Sequence, residues 1–306
     1  MNISALYSTM ATLFTCMAVG YLARRLKVVN ADFVPNFSKL IIHVLQPFMI
    51  INSVLNKEHL MSNEQVFLLT GIALACYVVL IGLALLLPKF LHMKVDKGTY
   101  RFMFIFGNVG FMGYPVVRSL FGDDAMFMVT IFILLFNILV YTVGILMLAG
   151  DKEKQQFSFK MFVKPTVIAC VVAYAVYFIN TPVPELLATC VAYVGDLTTP
   201  ACMVLIGCSL GAIPVKEMGG TWRLYAVIAL KMVVIPVIAF LLLRTLVTDA
   251  MMMGVIVVML AMPIATNATM LSAVYGGNDK LASTGVLIST LLSVGTIPVL
   301  MQILFG

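Results

Sequence analysis

The chain has 306 residues, of which 62% are hydrophobic and only 10% charged, and its mean hydropathy is +1.08. A soluble domain carries about 25% charged residues and roughly half apolar ones, so soluble globular and disordered chains are both excluded and a polytopic membrane protein remains. The formal charge of +6 is scattered over short segments. It forms no basic run, which excludes a nucleic-acid surface.

Ten apolar spans follow in chain order: 5–22, 36–55, 65–87, 100–121, 125–148, 161–179, 186–211, 222–243, 250–275 and 281–305. A membrane-crossing helix needs about 20 residues, and these runs are continuous instead of alternating, so helices are expected and barrel strands are not. Span 1 precedes its positive charges, Arg24, Arg25 and Lys27, which is the reverse of a cleavable signal peptide. Basic residues recur in every odd-numbered loop, at 24–39, 89–101, 152–164, 216–223 and 280. The even loops hold only Lys57 and Arg244. Positive charge stays cytoplasmic, so both termini are expected outside a multi-pass cell-membrane protein, in the inner or plasma membrane.

Span 2 carries His43 and, four residues on, Pro47; span 7 carries Asp196 and, four residues on, Pro200. Span 4 contains GNVGFMGYPVVRSLFG, from Gly107 to Gly122, and span 9 contains AMPIATNATMLSAVYG, from Ala261 to Gly276. Glycine disfavours a helix interior by about 1 kcal/mol and proline by about 3 kcal/mol, so both spans are expected to break. Pro115 suits the first turn of a restarted half-helix, and Thr266 and Asn267 suit its cap. The most hydrophilic stretch, 151–160, reads as a cytoplasmic linker between two halves, 1–150 and 161–306. Five spans is an odd number, so related halves would enter the membrane from opposite sides as an inverted repeat. The matching proline positions and the matching breaks support that relation.

Two interrupted helices at matching places point to a binding site near mid-membrane. Half-helix N-termini offer unpaired N–H donors and partial positive charge, which suits a small anion such as a carboxylate. The candidate substrate residues are Asn108, Gly110, Gly113, Pro115, Pro263, Thr266 and Asn267, with Asn137 and Tyr141 one turn apart on span 5. Asn137 and Tyr141 could equally hold helices together. Ionisable residues inside spans are functional candidates. Asp196 is a proton carrier or a partner for Lys231. Lys231 pairs with Asp196, attracts an anion or snorkels to the cytoplasmic edge. His43 is a proton-coupling group or a neutral core histidine. Arg118 guides an anion or snorkels outward.

The six cysteines lie in apolar stretches without a CxxC pair, and the three histidines are far apart, so no disulfide, metal site or cofactor is expected. HExxH, GxSxG and P-loop patterns are absent from the sequence, so it does not read as an enzyme. Gly107, Gly110 and Gly113 have the wrong spacing for a nucleotide loop.

The break sequences resemble the auxin efflux carrier family, which includes bacterial organic-acid permeases and plant PIN-type carriers. The match rests on Asn108, Met112, Gly113 and Pro115, on Arg118 as the basic residue, and on 261–277 followed by Leu281-Ala-Ser-Thr. It extends to Thr199-Pro200 and to Gly207, Ser209, Leu210 and Gly211. The long central loop of many plant members is missing, so auxin is not implied as substrate. The resemblance implies ten transmembrane helices in two inverted five-helix repeats, with helices 4 and 9 crossing at Pro115 and Pro263. It also implies a scaffold of helices 1, 2, 6 and 7, a transport domain of helices 3–5 and 8–10, and a homodimer. The resulting expectation is an all-α secondary transporter for a small organic anion, working by alternating access in the lipid bilayer. A sodium-coupled symporter of the bile-acid type, and a membrane channel or sensor, are the alternatives.

Overall fold

The structure is a computed structural model that describes residues 3–30, 32–55, 61–149, 164–179, 183–212 and 219–306. The linker 151–160 lies outside the described residues. Every described element is helical, and the one extended pairing among the described residues is an isolated antiparallel bridge between Gly107 and Ile264.

The helices are α1 (Ile3–Arg25), α2 (Phe33–Asn52), α3 (Asn63–Phe90), α4 (Lys97–Ile105), α5 (Tyr114–Phe121), α6 (Asp123–Ala149), α7 (Pro165–Ile179), α8 (Glu185–Ala212), α9 (Trp222–Leu243), α10 (Ala250–Ala261), α11 (Asn267–Tyr275) and α12 (Asp279–Phe305). Among the described residues six of these, α2, α3, α6, α8, α9 and α12, are long and apolar enough to cross a membrane, and α7 and α10 are shorter apolar helices. The chain is thus an all-α membrane protein.

Helix starts follow from local chemistry. Ser62 and Gln65 form a reciprocal capping box at α3, with bonds of 3.2 and 2.8 Å. Asp249 caps α10 through the Met252 N–H at 2.9 Å, and Asn278 caps α12 through the Leu281 N–H at 2.9 Å. Widened π turns interrupt α2 at Ile41–Leu45, α6 at Val140–Gly144 and α9 at Leu230–Val234, and another, Val109–Gly113, leads into α5. Three of them lie just before Pro47, Pro115 and Pro236. Proline has no N–H for the carbonyl four residues back and its ring crowds that carbonyl, so a wider turn upstream relieves both.

The core centres on the two interruptions. Phe102, Phe106, Met112, Ile131 and Phe132 are among its largest fully buried side chains. Bulky apolar residues such as Phe67, Val78, Phe90 and Ile303 point outward instead, as a lipid-facing surface requires. The endings after the two breaks share a backbone role: Gly122 and Gly276 have φ of 78° and 81°, a region that favours glycine.

The helices pack as follows. α1 runs along the second half of α8, and α2 packs on α7 and on the first half of α8. Elsewhere α3 packs on α4 and α6, α9 on α10, and α11 on α12. The α1–α8 contact is backbone to backbone: a Cβ on Gly207 would lie 1.9 Å from the Met17 carbonyl oxygen, and one on Gly20 would lie 2.1 Å from that of Val204. Without a hydrophobic drive between helices in lipid, such close approach carries the association. Gly207→Val is therefore expected to abolish the monodisperse peak in detergent gel filtration. Gly82→Ala, where the added Cβ meets nothing within 4 Å, is expected to elute as the native chain does.

Candidate functional site

Both expected breaks are present, and they meet. α4 stops at Ile105, and Phe106 is already extended. α10 stops at Ala261, and Met262 is extended as well. The freed main-chain groups pair with each other: Asn108 N–H donates to the Pro263 carbonyl at 2.7 Å, and Ala265 N–H donates to the Phe106 carbonyl at 3.1 Å. Ser289 on α12 accepts from the Ile264 N–H at 3.0 Å. The Asn108 carbonyl accepts from Met112 and Gly113 at 3.1 and 2.9 Å, which restarts the chain towards α5. In lipid every freed backbone group needs such a partner.

A narrow cavity of about 40 Å³ opens beside this pairing. Asn108, Gly110 and Phe111 line it from the first break, and Ala265, Thr266 and Asn267 line it from the second. These residues form the first turns of the two restarted half-helices, whose leading N–H groups have no intrahelical acceptor. Asn137 and Tyr141 on α6 and Gln46 on α2 complete the polar lining. No side chain in the lining carries a formal charge.

Three polar atoms at the cavity are buried without a hydrogen-bond partner among the described residues: Asn108 Nδ2, Thr266 Oγ1 and Asn267 Oδ1. Asn108 is 2% exposed. A buried polar group left unpaired costs about 1–3 kcal/mol, and three around one cavity mark a place built to meet a polar guest. Asn137 Nδ2 donates to the Ile133 carbonyl at 2.8 Å. The Lys164 ammonium stands 3.0 Å from the centre of the Tyr141 ring, so a positive charge backs one wall. By volume the cavity holds about three waters, at roughly 10–15 Å³ for each, so its walls must part to admit a larger guest. A larger groove of about 600 Å³ lies between α3 and α9. Its lining is almost wholly apolar, which suits lipid chains and not the chemistry above.

The remaining sequence candidates are placed as follows. Gly113 faces Met259 and Met262, away from the cavity. Pro115 is buried at the start of α5, and Pro263 acts through its carbonyl. Thr266 takes the cap position of α11 but its hydroxyl makes no cap bond, because it lines the cavity instead. His43 is exposed, its Nδ1 2.9 Å from the Lys39 carbonyl oxygen, and it does not line the cavity. Gln46, three residues on, does. Asp196 pairs with Arg118 at 2.7 Å and not with Lys231. Lys231 does not snorkel and meets no carboxylate among the described residues: it is 2% exposed, and its ammonium donates to the Phe104 and Ile105 carbonyls at 3.3 Å each.

These features define a class: a multi-pass helical membrane protein with two interrupted helices joined through their backbones. A family model described as membrane transport protein matches residues 5–301, and the chain belongs to that family, the auxin efflux carriers of the sequence resemblance. It is a transporter and not an enzyme. A protein of Rhizobium meliloti (strain 1021) named as a putative malonate transporter is 22% identical, over 95% of this chain and 93% of its own length. An uncharacterized transporter of Methanocaldococcus jannaschii is 25% identical, over 90% of this chain and 91% of its own length.

Arg118 also holds Asp123 at 2.7 Å, so one guanidinium ties α5 both to the start of α6 and to α8. Partly exposed pairs of this kind contribute about 0.2–1 kcal/mol each. Asp196→Asn is expected to lower the thermal midpoint in detergent slightly, and Arg118→Gln to lower it more. Adding Asp196→Asn to Arg118→Gln is expected to cost nothing further, since the shared contact is already gone; additive shifts would mean that the pair is not formed.

Proposed function

We propose that this chain is a secondary carrier of a small organic anion, a carboxylate, which binds where the two restarted half-helices begin. The observation that carries this reading is the cavity with three unpaired buried polar atoms set between two half-helix N-termini. Each such terminus presents free N–H groups and about half a positive charge. Asn108 Nδ2 adds a neutral donor, and a half-turn of the Asn267 amide exchanges its oxygen for a second one. Neutral donors suit a carrier, because a guest held only by hydrogen bonds and dipoles can leave again. The relative named as a putative malonate transporter makes a short dicarboxylate the first substrate to test.

The finer architecture follows from the same reading. The helices form ten crossings in two inverted five-helix repeats, 1–150 and 161–306, joined by 151–160, with both termini outside a cell membrane. α1, α2, α7 and α8 act as the scaffold, through which two copies pair. The rest, with both breaks, moves against it in alternating access. The long backbone-to-backbone seam of α1 on α8 is what supports that scaffold. The near-closed cavity suits a carrier caught between open states, and the Arg118–Asp196 pair ties a moving element, α5, to a fixed one, α8.

Reconstituted in liposomes, the protein is expected to show saturable counterflow of labelled malonate or of a related short-chain carboxylate. Asn108→Ala is expected to keep its elution profile and to raise the half-saturating concentration on the order of 10- to 100-fold, the effect of losing one hydrogen bond to a charged group. Flux that does not saturate would point to a channel. Native uptake by Asn108→Ala would remove that residue from the site.

A further inference from the structure

Lys231 is the one described charged side chain that is fully buried, and the anion cavity does not use it. It sits in the π turn Leu230–Val234 of α9. Its ammonium donates to the carbonyls of Phe104 and Ile105 at 3.3 Å each, and these are the last two residues of α4. The final carbonyls of a helix have no intrahelical partner and carry the negative end of its dipole. Here the chain cannot continue the helix through Phe106, Gly107 and Asn108, so those carbonyls stay free inside the membrane. A Cβ on Gly107 would lie 3.4 Å from the Lys231 Nζ, so the charge is packed directly against the break. Among the described residues no carboxylate pairs with Lys231.

Main-chain carbonyls at an unwound helix end are the donor set that holds an alkali-metal ion in carriers with broken helices. A fixed ammonium among the same donors satisfies the same lone pairs with the same charge. The geometry therefore splits the break into two poles. The C-terminal end of α4 is neutralised by Lys231, and the N-terminal ends of the restarted half-helices are left for the guest. Removing the ammonium would leave the Phe104 and Ile105 carbonyls unpaired in a low-dielectric space, where a small cation could replace it.

We propose that Lys231 is the resident cation of the paired breaks: its ammonium holds the place that a coupling sodium ion would take at the end of α4, and deleting it creates a monovalent-cation site there. Carriage in the native protein is then independent of sodium. The inference rests on the paired breaks and on the transporter reading, but its first readout needs no substrate.

The test compares thermal midpoints of the purified full-length chain in choline, sodium, potassium and methylammonium chloride at equal ionic strength. The native chain is expected to show one midpoint in all four. Lys231→Ala is expected to melt lower in choline and to recover saturably with methylammonium or an alkali cation. In proteoliposomes its substrate uptake in choline is expected to fall by about tenfold or more, equivalent to ~1.4 kcal/mol, and to rise with the same cation. Where Lys231→Ala does not survive purification in choline, its yield from membranes solubilised in methylammonium against choline gives the same reading. A native midpoint or native uptake that climbs saturably with sodium would overturn the inference. So would a folded Lys231→Ala whose stability ignores every cation, or a yield that no cation improves. Loss of carboxylate transport with these midpoints intact would count against the anion reading alone.

Discussion

Two short main-chain hydrogen bonds, from Asn108 to Pro263 and from Ala265 to Phe106, decide how the rest of this molecule can be built. A helix interrupted inside a bilayer exposes carbonyl and N–H groups that lipid cannot satisfy, at several kcal/mol for each group left bare. One interrupted helix would need another element to cover it. Two interrupted helices that meet cover each other, and the bridge between Gly107 and Ile264 is the smallest piece of sheet that can do so. Phe102, Phe106 and Phe132 are fully buried in the same core. Ser289 and Lys231 satisfy the groups that the pairing leaves over.

The same geometry separates charge without placing a carboxylate nearby. One helix end that terminates at the first break is negative, and it is met by an ammonium on a neighbouring helix. The restarted half-helices begin beside the cavity with their positive ends, and only neutral side chains line it. Membrane proteins pay heavily for buried formal charge. Under the proposed function, dipoles and amides would let this site favour an anion without fixing a formal charge beside it.

Much of this was legible in the sequence, for physical reasons that can be named. Gly107, Gly110, Gly113 and Pro115 in one span and Pro263 in the other are so unfavourable within a helix that the sequence alone locates both breaks. The matched endings at Gly122 and Gly276 share a positive φ. Asn108, Thr266, Asn267, Asn137 and Tyr141, singled out as polar groups in apolar surroundings, do converge on one cavity. Partners were less legible. His43 is an ionisable residue inside an apolar span, yet the π turn at Ile41–Leu45 changes the helical phase, and it is Gln46 that faces the cavity. Asp196 and Lys231 looked like natural partners by charge. The fold instead gives Asp196 to Arg118 and gives Lys231 to two backbone carbonyls, a partner that no side-chain pattern records. Ser289 could not be read at all, because one serine among several on an apolar helix carries no signal until the break is beside it.

The most direct test is electron cryomicroscopy of the purified protein with a transported carboxylate at saturation. The account predicts density for the carboxylate between the first turns that start at Asn108 and at Thr266, with the Asn108–Pro263 pairing intact. Continuous helices through these two segments, or carboxylate density elsewhere with this cavity unchanged, would contradict it.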